Sequence, residues 1–319
     1  MLAITARTLD WTLTQGPLVR HLRPPNSPPS TIMDTLDLIS NFRGIGWDWS
    51  GYRSYVPRDI RPTHRALFVL HTLVSAAVHS LIYDASHRAV HILAPAGVDT
   101  ASAYGSTIFD ATLPFPVRYA RATLISLLAA STIYAVMHST YDVCTAFGVL
   151  FLAQHPTQWP PAFDAPWRAT SLRDLWGRRW HQFFRHIFLL GGRALAPMFG
   201  RAGWIAGTFG ASVVWHYVSL LDLDGEPPFR RMLMGFGMMA LGILLERAFR
   251  QVTGRRVGGF AGWAWTMLWL MVWGSVIVEG FARGGMFGCW SALEGVSPLG
   301  GWVELWVKEL DGWLHTIYW

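Results

Sequence analysis

The sequence predicts an all-α integral membrane protein: a multi-helix transmembrane bundle with cytosolic amphipathic helices around an internal chamber. Three observations carry this expectation. Of 319 residues, 52% are hydrophobic and only 14% charged, against about 25% charged in soluble domains. Apolar runs near the ~20 residues needed to cross ~30 Å of hydrocarbon recur along the chain. The net charge of +6 gathers in short loops between those runs, as in the cytosolic loops of membrane proteins. No DNA- or RNA-binding motif accompanies that charge, and no nucleic-acid partner is expected. The two cysteines, Cys144 and Cys289, make neither a disulfide framework nor a zinc site.

Residues 1–40 read as an N-terminal tail and linker. "MLAITARTLDWTLTQGPLVRHLRPPNSPPS" lacks the unbroken apolar core of a signal peptide, and its "RPPNSPPS" end has linker composition, so insertion falls to an internal helix. "NFRGIGWDWSGYR" carries Gly44 and Gly46 around Ile45. Without a third glycine or a preceding strand it is no dinucleotide fingerprint, and it reads as a tight cytosolic loop. Five spans are then expected: Ala66 to Tyr83, Ala122 to Ala153, Gly203 to Leu221, Met232 to Glu246 and Phe260 to Ala282. The second is long enough to be one tilted helix or a helix broken near His138–Asp142, with one net crossing favoured. "GWVELWVKELDGWLHTIYW" mixes Trp with charge at helical spacing and reads as an interfacial amphipathic helix.

Loop charge orients these spans. Arg53, Arg58, Arg61 and Arg65 precede the first. Arg168, Arg173, Arg178, Arg179 and Arg185 separate the second and third, and Arg247, Arg250, Arg255 and Arg256 the fourth and fifth. One crossing per block puts all three clusters on the cytosolic face. The loop after the third span, with Asp222, Asp224 and Glu226, then falls opposite.

Two places carry chemistry. His216 sits within the third span, where an ionisable side chain is costly and usually faces a cavity or partner. Ser212 and Ser219 share its helix face. A neutral imidazole there can accept a hydroxyl proton; the plain alternative is a histidine satisfied by a neighbouring helix. "SLRDLWGRRWHQFFR" offers Ser171 as a helix cap and Asp174–Arg178 as an i,i+4 pair. Trp176, Trp180 and Phe184 form an aromatic stripe at i, i+4, i+8, with the arginines pointing elsewhere. Arginine forks suit phosphate oxygens; the alternative is an interfacial helix whose arginines snorkel to lipid headgroups. The remaining histidines make no convincing metal set, and no metal is expected.

These residues resemble a family. "SLRDLWGRRWHQFFR" is similar to the signature of the wax-synthase-like branch of membrane-bound O-acyltransferases. "FGASVVWHYVSL" is similar to its second signature, a small-residue-rich helix with one histidine, and "NFRGIGWDW" resembles a stretch of fungal members. The resemblance implies one membrane-embedded domain over 41–319 in the endoplasmic reticulum, with no permanently bound cofactor. It implies acyl-CoA as co-substrate, acetyl-CoA rather than a long-chain donor, and a lipophilic alcohol, terpenoid or other secondary metabolite, as acceptor. His216 matches the family base and His181 the second signature position. Trp176, Arg178, Arg179, Trp180, Gln182 and Arg185 are the expected donor-binding residues, with His181 or Gln182 toward the thioester. Two rival readings stand beside it. A membrane terpene cyclase or isomerase would use the carboxylates Asp142, Glu246 and Glu279. A lipid-binding or transport protein would show an internal repeat with matching broken helices, and none is found.

Overall fold

The computed structural model describes residues 28–41, 43–48, 55–95, 104–223, 228–288 and 300–317, with positions 5, 8, 11, 12, 16–21, 23, 102, 225 and 226. Arg53, Asp224, Cys289 and part of the "RPPNSPPS" linker lie outside the described residues. Among the described residues eight α-helices are assigned in order: α1 (Thr31–Ser40), α2 (Arg65–Ile92), α3 (Phe115–Phe151), α4 (Leu172–Asp174), α5 (Arg185–Leu220), α6 (Phe229–Thr253), α7 (Gly259–Arg283) and α8 (Gly300–Ile317). No sheet forms among the described residues; Arg20 and Trp47 make an isolated antiparallel bridge.

Among the described residues four helices, α2, α3, α6 and α7, have the length and apolar composition to cross a membrane. They turn large aliphatic side chains outward, as a lipid-facing surface requires; Leu70, Val74, Val78, Leu127 and Leu268 are all exposed. The α3 helix runs unbroken through His138–Asp142 for 37 residues, roughly 55 Å at 1.5 Å per residue. The expected third span is not among the four. Its stretch of α5 holds His216, Trp204, Trp215, Tyr217 and three glycines, which dilute its hydropathy.

The chain divides into two compact units. The first comprises Met1–Ala76, Thr140–Ala211 and Ile243–Trp263. Its apolar centre joins Phe68 and Val69 of α2 to Ala146 and Val149 of α3, with Trp159 packed on it. Arg61 and Arg65 donate to the carbonyls of Trp159 and Val149, so these arginines tie the segment leading into α2 to the last turn of α3 and the loop after it. Within 31–40, Ser30 caps α1 by accepting from Met33 N, and Arg20 pairs with Asp34 and Asp37 at 2.8 and 3.2 Å.

The α5 helix is not straight. Gly200 takes φ 57°, ψ −136°, a backbone that glycine alone adopts freely, three residues after Pro197, which donates no hydrogen bond. The chain doubles back there, and the two arms meet through Gly191 and Gly207. A Cβ built on either would lie 2.2 or 2.1 Å from the other's carbonyl oxygen. Small residues permit this approach, as at close membrane helix crossings.

The second unit comprises Ala77–Ser139, Ser212–Gly242 and Ala264–Trp319. Its α2 and α3 portions meet through Thr132 Oγ1 donating to Ser86 at 3.0 Å and through His79 stacked on His138 at 3.9 Å. Glu279 of α7, fully buried, accepts from Thr107 Oγ1, from Ile108 N at 2.9 Å, from Arg231 and from Arg283. One carboxylate thereby fastens a loop and the ends of two helices. The amphipathic α8 leaves Trp302, Leu305 and Trp306 exposed on its apolar side, the surface an interfacial helix presents.

Candidate active site

The arginine-rich segment starts as its sequence predicts. Ser171 Oγ accepts from Asp174 N at 2.9 Å, satisfying one orphan N–H of the helix start. Glu246, reaching from α6 in the same unit, accepts from Leu172 N at 2.6 Å and Arg173 N at 3.1 Å. A carboxylate thus sits on the positive end of this helix.

From Leu175 to Arg179 the helix widens into a π turn, closed by Trp180 N donating to Leu175 O at 2.8 Å. The wide turn brings residue i+5 nearly in line with residue i. Asp174 therefore takes Arg178, through Nη2 at 2.7 Å, and Arg179, through Nε at 2.5 Å. Burial alone would raise the Asp174 carboxyl; the guanidiniums of Arg179 and Arg178 outweigh it and hold the group below the usual carboxylate range. Arg179 Nη1 also donates to Asp164 O at 3.0 Å. Arg178 stays 56% exposed, with its guanidinium 5.6 Å from the Tyr55 ring.

The aromatic stripe does not continue as one helix. Trp180 is extended at ψ 157°, α5 starts only at Arg185, and buried Gln182 donates through Nε2 to Trp180 O at 2.7 Å. The π turn leaves carbonyls without helical donors, and Gln182 supplies one. Trp176 still meets Trp180 edge-on at 6.1 Å and Phe209 at 6.1 Å. Its buried Nε1 has no hydrogen-bond partner among the described residues. The His181 ring packs among Phe163, Phe183 and Phe184 at 5.7–6.2 Å.

A small pocket lies in this first unit, lined by Arg43, Tyr55, Gln182, Arg185 and His186 among others. Gln182 and Arg185 were expected at a binding site. Arg43, Tyr55 and His186 were not; the signal for Arg43 was its place in "NFRGIGWDW".

His216 belongs to the second unit. Its ring is partly buried and packs on Phe236 of α6 at 4.8 Å and Phe281 of α7 at 5.5 Å. Ser212 is buried beside it in sequence. Ser219 is exposed and donates to Trp215 O at 2.8 Å, so only Ser212 shares the packed side.

Residues 159–236 match the family model described as "Membrane bound O-acyl transferase family". This segment, about a quarter of the chain, is similar to members of that family. It contains the arginine-rich turn, His181 and His216. Among curated proteins, the chain is 30% identical over 158 residues to "O-Mevalon transferase yanI" of Aspergillus niger, covering 47% of this chain and 33% of that one. It is 29% identical to "Acetyltransferase ple2" of Rhodocybe pseudopiperita over 50% of this chain and 38% of that one. It is 24% identical to "Acetyltransferase eriL" of Hericium erinaceus over 73% and 62%. The chain therefore spans a third to two fifths of the length of the first two relatives it matches. No solved structure matches it.

Proposed function

We propose that the protein is an acyl-CoA-dependent O-acyltransferase of an endomembrane, moving an acetyl group to a hydroxyl of a lipophilic acceptor such as a terpenoid alcohol. The observation that carries the reading is the family segment at 159–236, which holds both the arginine-rich turn and His216. Relatives named as acetyltransferases support the acyl group.

In this reading His216 accepts the proton of the acceptor hydroxyl. The alkoxide oxygen attacks the thioester carbonyl, and the tetrahedral intermediate expels the CoA thiolate, which takes up the proton. The imidazole packs against the aromatic rings of Phe236 and Phe281. Trp176 and Trp180 flank the donor, with the buried indole N–H of Trp176 free to donate. Arg178 and Arg185 face its phosphates, while Arg179, tied to Asp174 and Asp164, positions the turn. Gln182 has its amide engaged by backbone carbonyls, so His181 is the better candidate to face the thioester.

The cyclase alternative needs free acids. Glu246 and Glu279 are both engaged by backbone or guanidinium donors, which favours acyl transfer. Labelled acetyl-CoA incubated with candidate alcohols, against a polyprenyl substrate alone, separates the two readings. His216→Ala is expected to lower turnover by about 10²–10⁴ while acetyl-CoA binding and the thermal midpoint persist. Turnover at the wild-type rate would remove His216 from the mechanism.

A further inference from the structure

The loop holding Arg43 reads from its sequence as a tight cytosolic loop with no assigned binding role. Instead Arg43 is 8% exposed and enters the wall of the pocket in the first unit. Its Nη1 donates to the carbonyls of Pro160 and Pro161 at 3.1 and 2.9 Å, which fixes the guanidinium plane. Its Nη2 is buried with no acceptor in hydrogen-bond geometry among the described residues, although the Tyr141 hydroxyl lies beside the guanidinium. Arg185, which lines the same pocket, makes only long side-chain contacts among the described residues, 3.3 Å to Gln182 Oε1 and 3.5 Å to Gly177 O.

Neither guanidinium has a carboxylate within ion-pair distance among the described residues, unlike Arg178 and Arg179 next door. Burial pushes both below the usual arginine range. Both positive charges line the pocket without a counter-ion among the described residues, and Arg43 Nη2 lacks an acceptor there. Such an arrangement is costly unless an anion completes it.

The geometry points to a phosphate seat: the pocket lined by Arg43 and Arg185 binds a phosphate ester, with Arg43 Nη2 as a donor held ready for it. A phosphate ester brings up to two negative charges and several acceptor oxygens, which suits two guanidinium forks. The phosphate of a nucleotide-tailed donor and that of a lipid headgroup share this chemistry. The nucleotide source rests on the acyl-CoA reading; the phosphate seat itself does not.

The test uses the full chain purified in detergent, with CoA and pantetheine, which lacks phosphate, as probes. In the wild type CoA binds more tightly than pantetheine. Arg43→Gln is expected to raise the Kd for CoA about tenfold or more, the scale of one charge-assisted bond, and to leave pantetheine unchanged. Arg185→Gln should do the same, which guards against loss of the Pro160–Pro161 anchor by Arg43→Gln. A second arm places the protein in nanodiscs with or without phosphatidate. Retention of phosphatidate that depends on Arg43, with no preference for CoA over pantetheine, supports the seat and assigns it to a headgroup. Unchanged binding of CoA and of phosphatidate in both folded variants overturns it. An unchanged KM for acetyl-CoA in Arg43→Gln, with normal turnover, overturns the nucleotide source and leaves the transfer reaction intact. Arg43-dependent CoA binding without transfer to any alcohol keeps the seat and sinks the reaction instead.

Discussion

Asp174 is the residue on which the arginine-rich turn hangs. Its pairing with Arg178 was legible at i,i+4 spacing, and so was the Ser171 cap. Its pairing with Arg179 was not, because an α-helix points residue i+5 away; only the π turn brings it round. With Asp174 buried and Arg179 mostly so, Asp174→Asn is expected to cost about 2–3 kcal/mol, read as a lower thermal midpoint in detergent. The sign with pH follows from the depressed carboxyl. Its contribution is complete above the unfolded pKa near 4 and disappears as pH falls through the lower folded value. The stability gap between wild type and Asp174→Asn should therefore narrow below about pH 4; a gap constant from pH 7 to pH 3 would show that the carboxylate charge is not what holds the turn.

Element existence was readable from apolar runs, because α2, α3, α6 and α7 each bury one side and offer the other to lipid. The doubling-back of α5 was not read, although "GGRALAPMFGRAGWIAG" carries its ingredients: a proline, a glycine at the bend and glycines at the crossing. Period and hydropathy report which residues are apolar, not which backbones touch. The contact makes a two-sided prediction. Gly207→Ala places a methyl 2.1 Å from the Gly191 carbonyl oxygen, a backbone atom that cannot swing aside, and should cost about 1–3 kcal/mol or more. Gly210→Ala meets nothing within 4 Å and should be neutral or stabilising by up to about 1 kcal/mol through helix propensity. Tryptophan-fluorescence melts should show a lowered midpoint for Gly207→Ala and an unchanged or raised one for Gly210→Ala; equal shifts would deny the close crossing.

At the scale of the whole molecule, the orientation of the chain depends on the second arm of α5. Among the described residues four helices qualify as spans by composition, and these alone would carry the arginines at 247–256 to the face opposite those at 168–185. A crossing by the arm that bears His216 restores all three clusters to one side, as the positive-inside tendency requires. The histidine then lies at membrane depth, where a neutral base is favoured over a charged one. The two arrangements differ in a coupled way, since Asp222 and Arg255 exchange faces between them. In a background with Cys144 and Cys289 replaced by Ser, single cysteines at 173, 222 and 255 can be probed with an impermeant maleimide on sealed microsomes. Labelling of 173 and 255 from the cytosolic side, and of 222 only after permeabilisation, is the expected result. Labelling of 173 and 222 from outside with 255 protected would put the His216 helix on the cytosolic surface. A base there would be exposed to water, which competes with the acceptor alcohol for the thioester, so the crossing and the proposed chemistry stand or fall together.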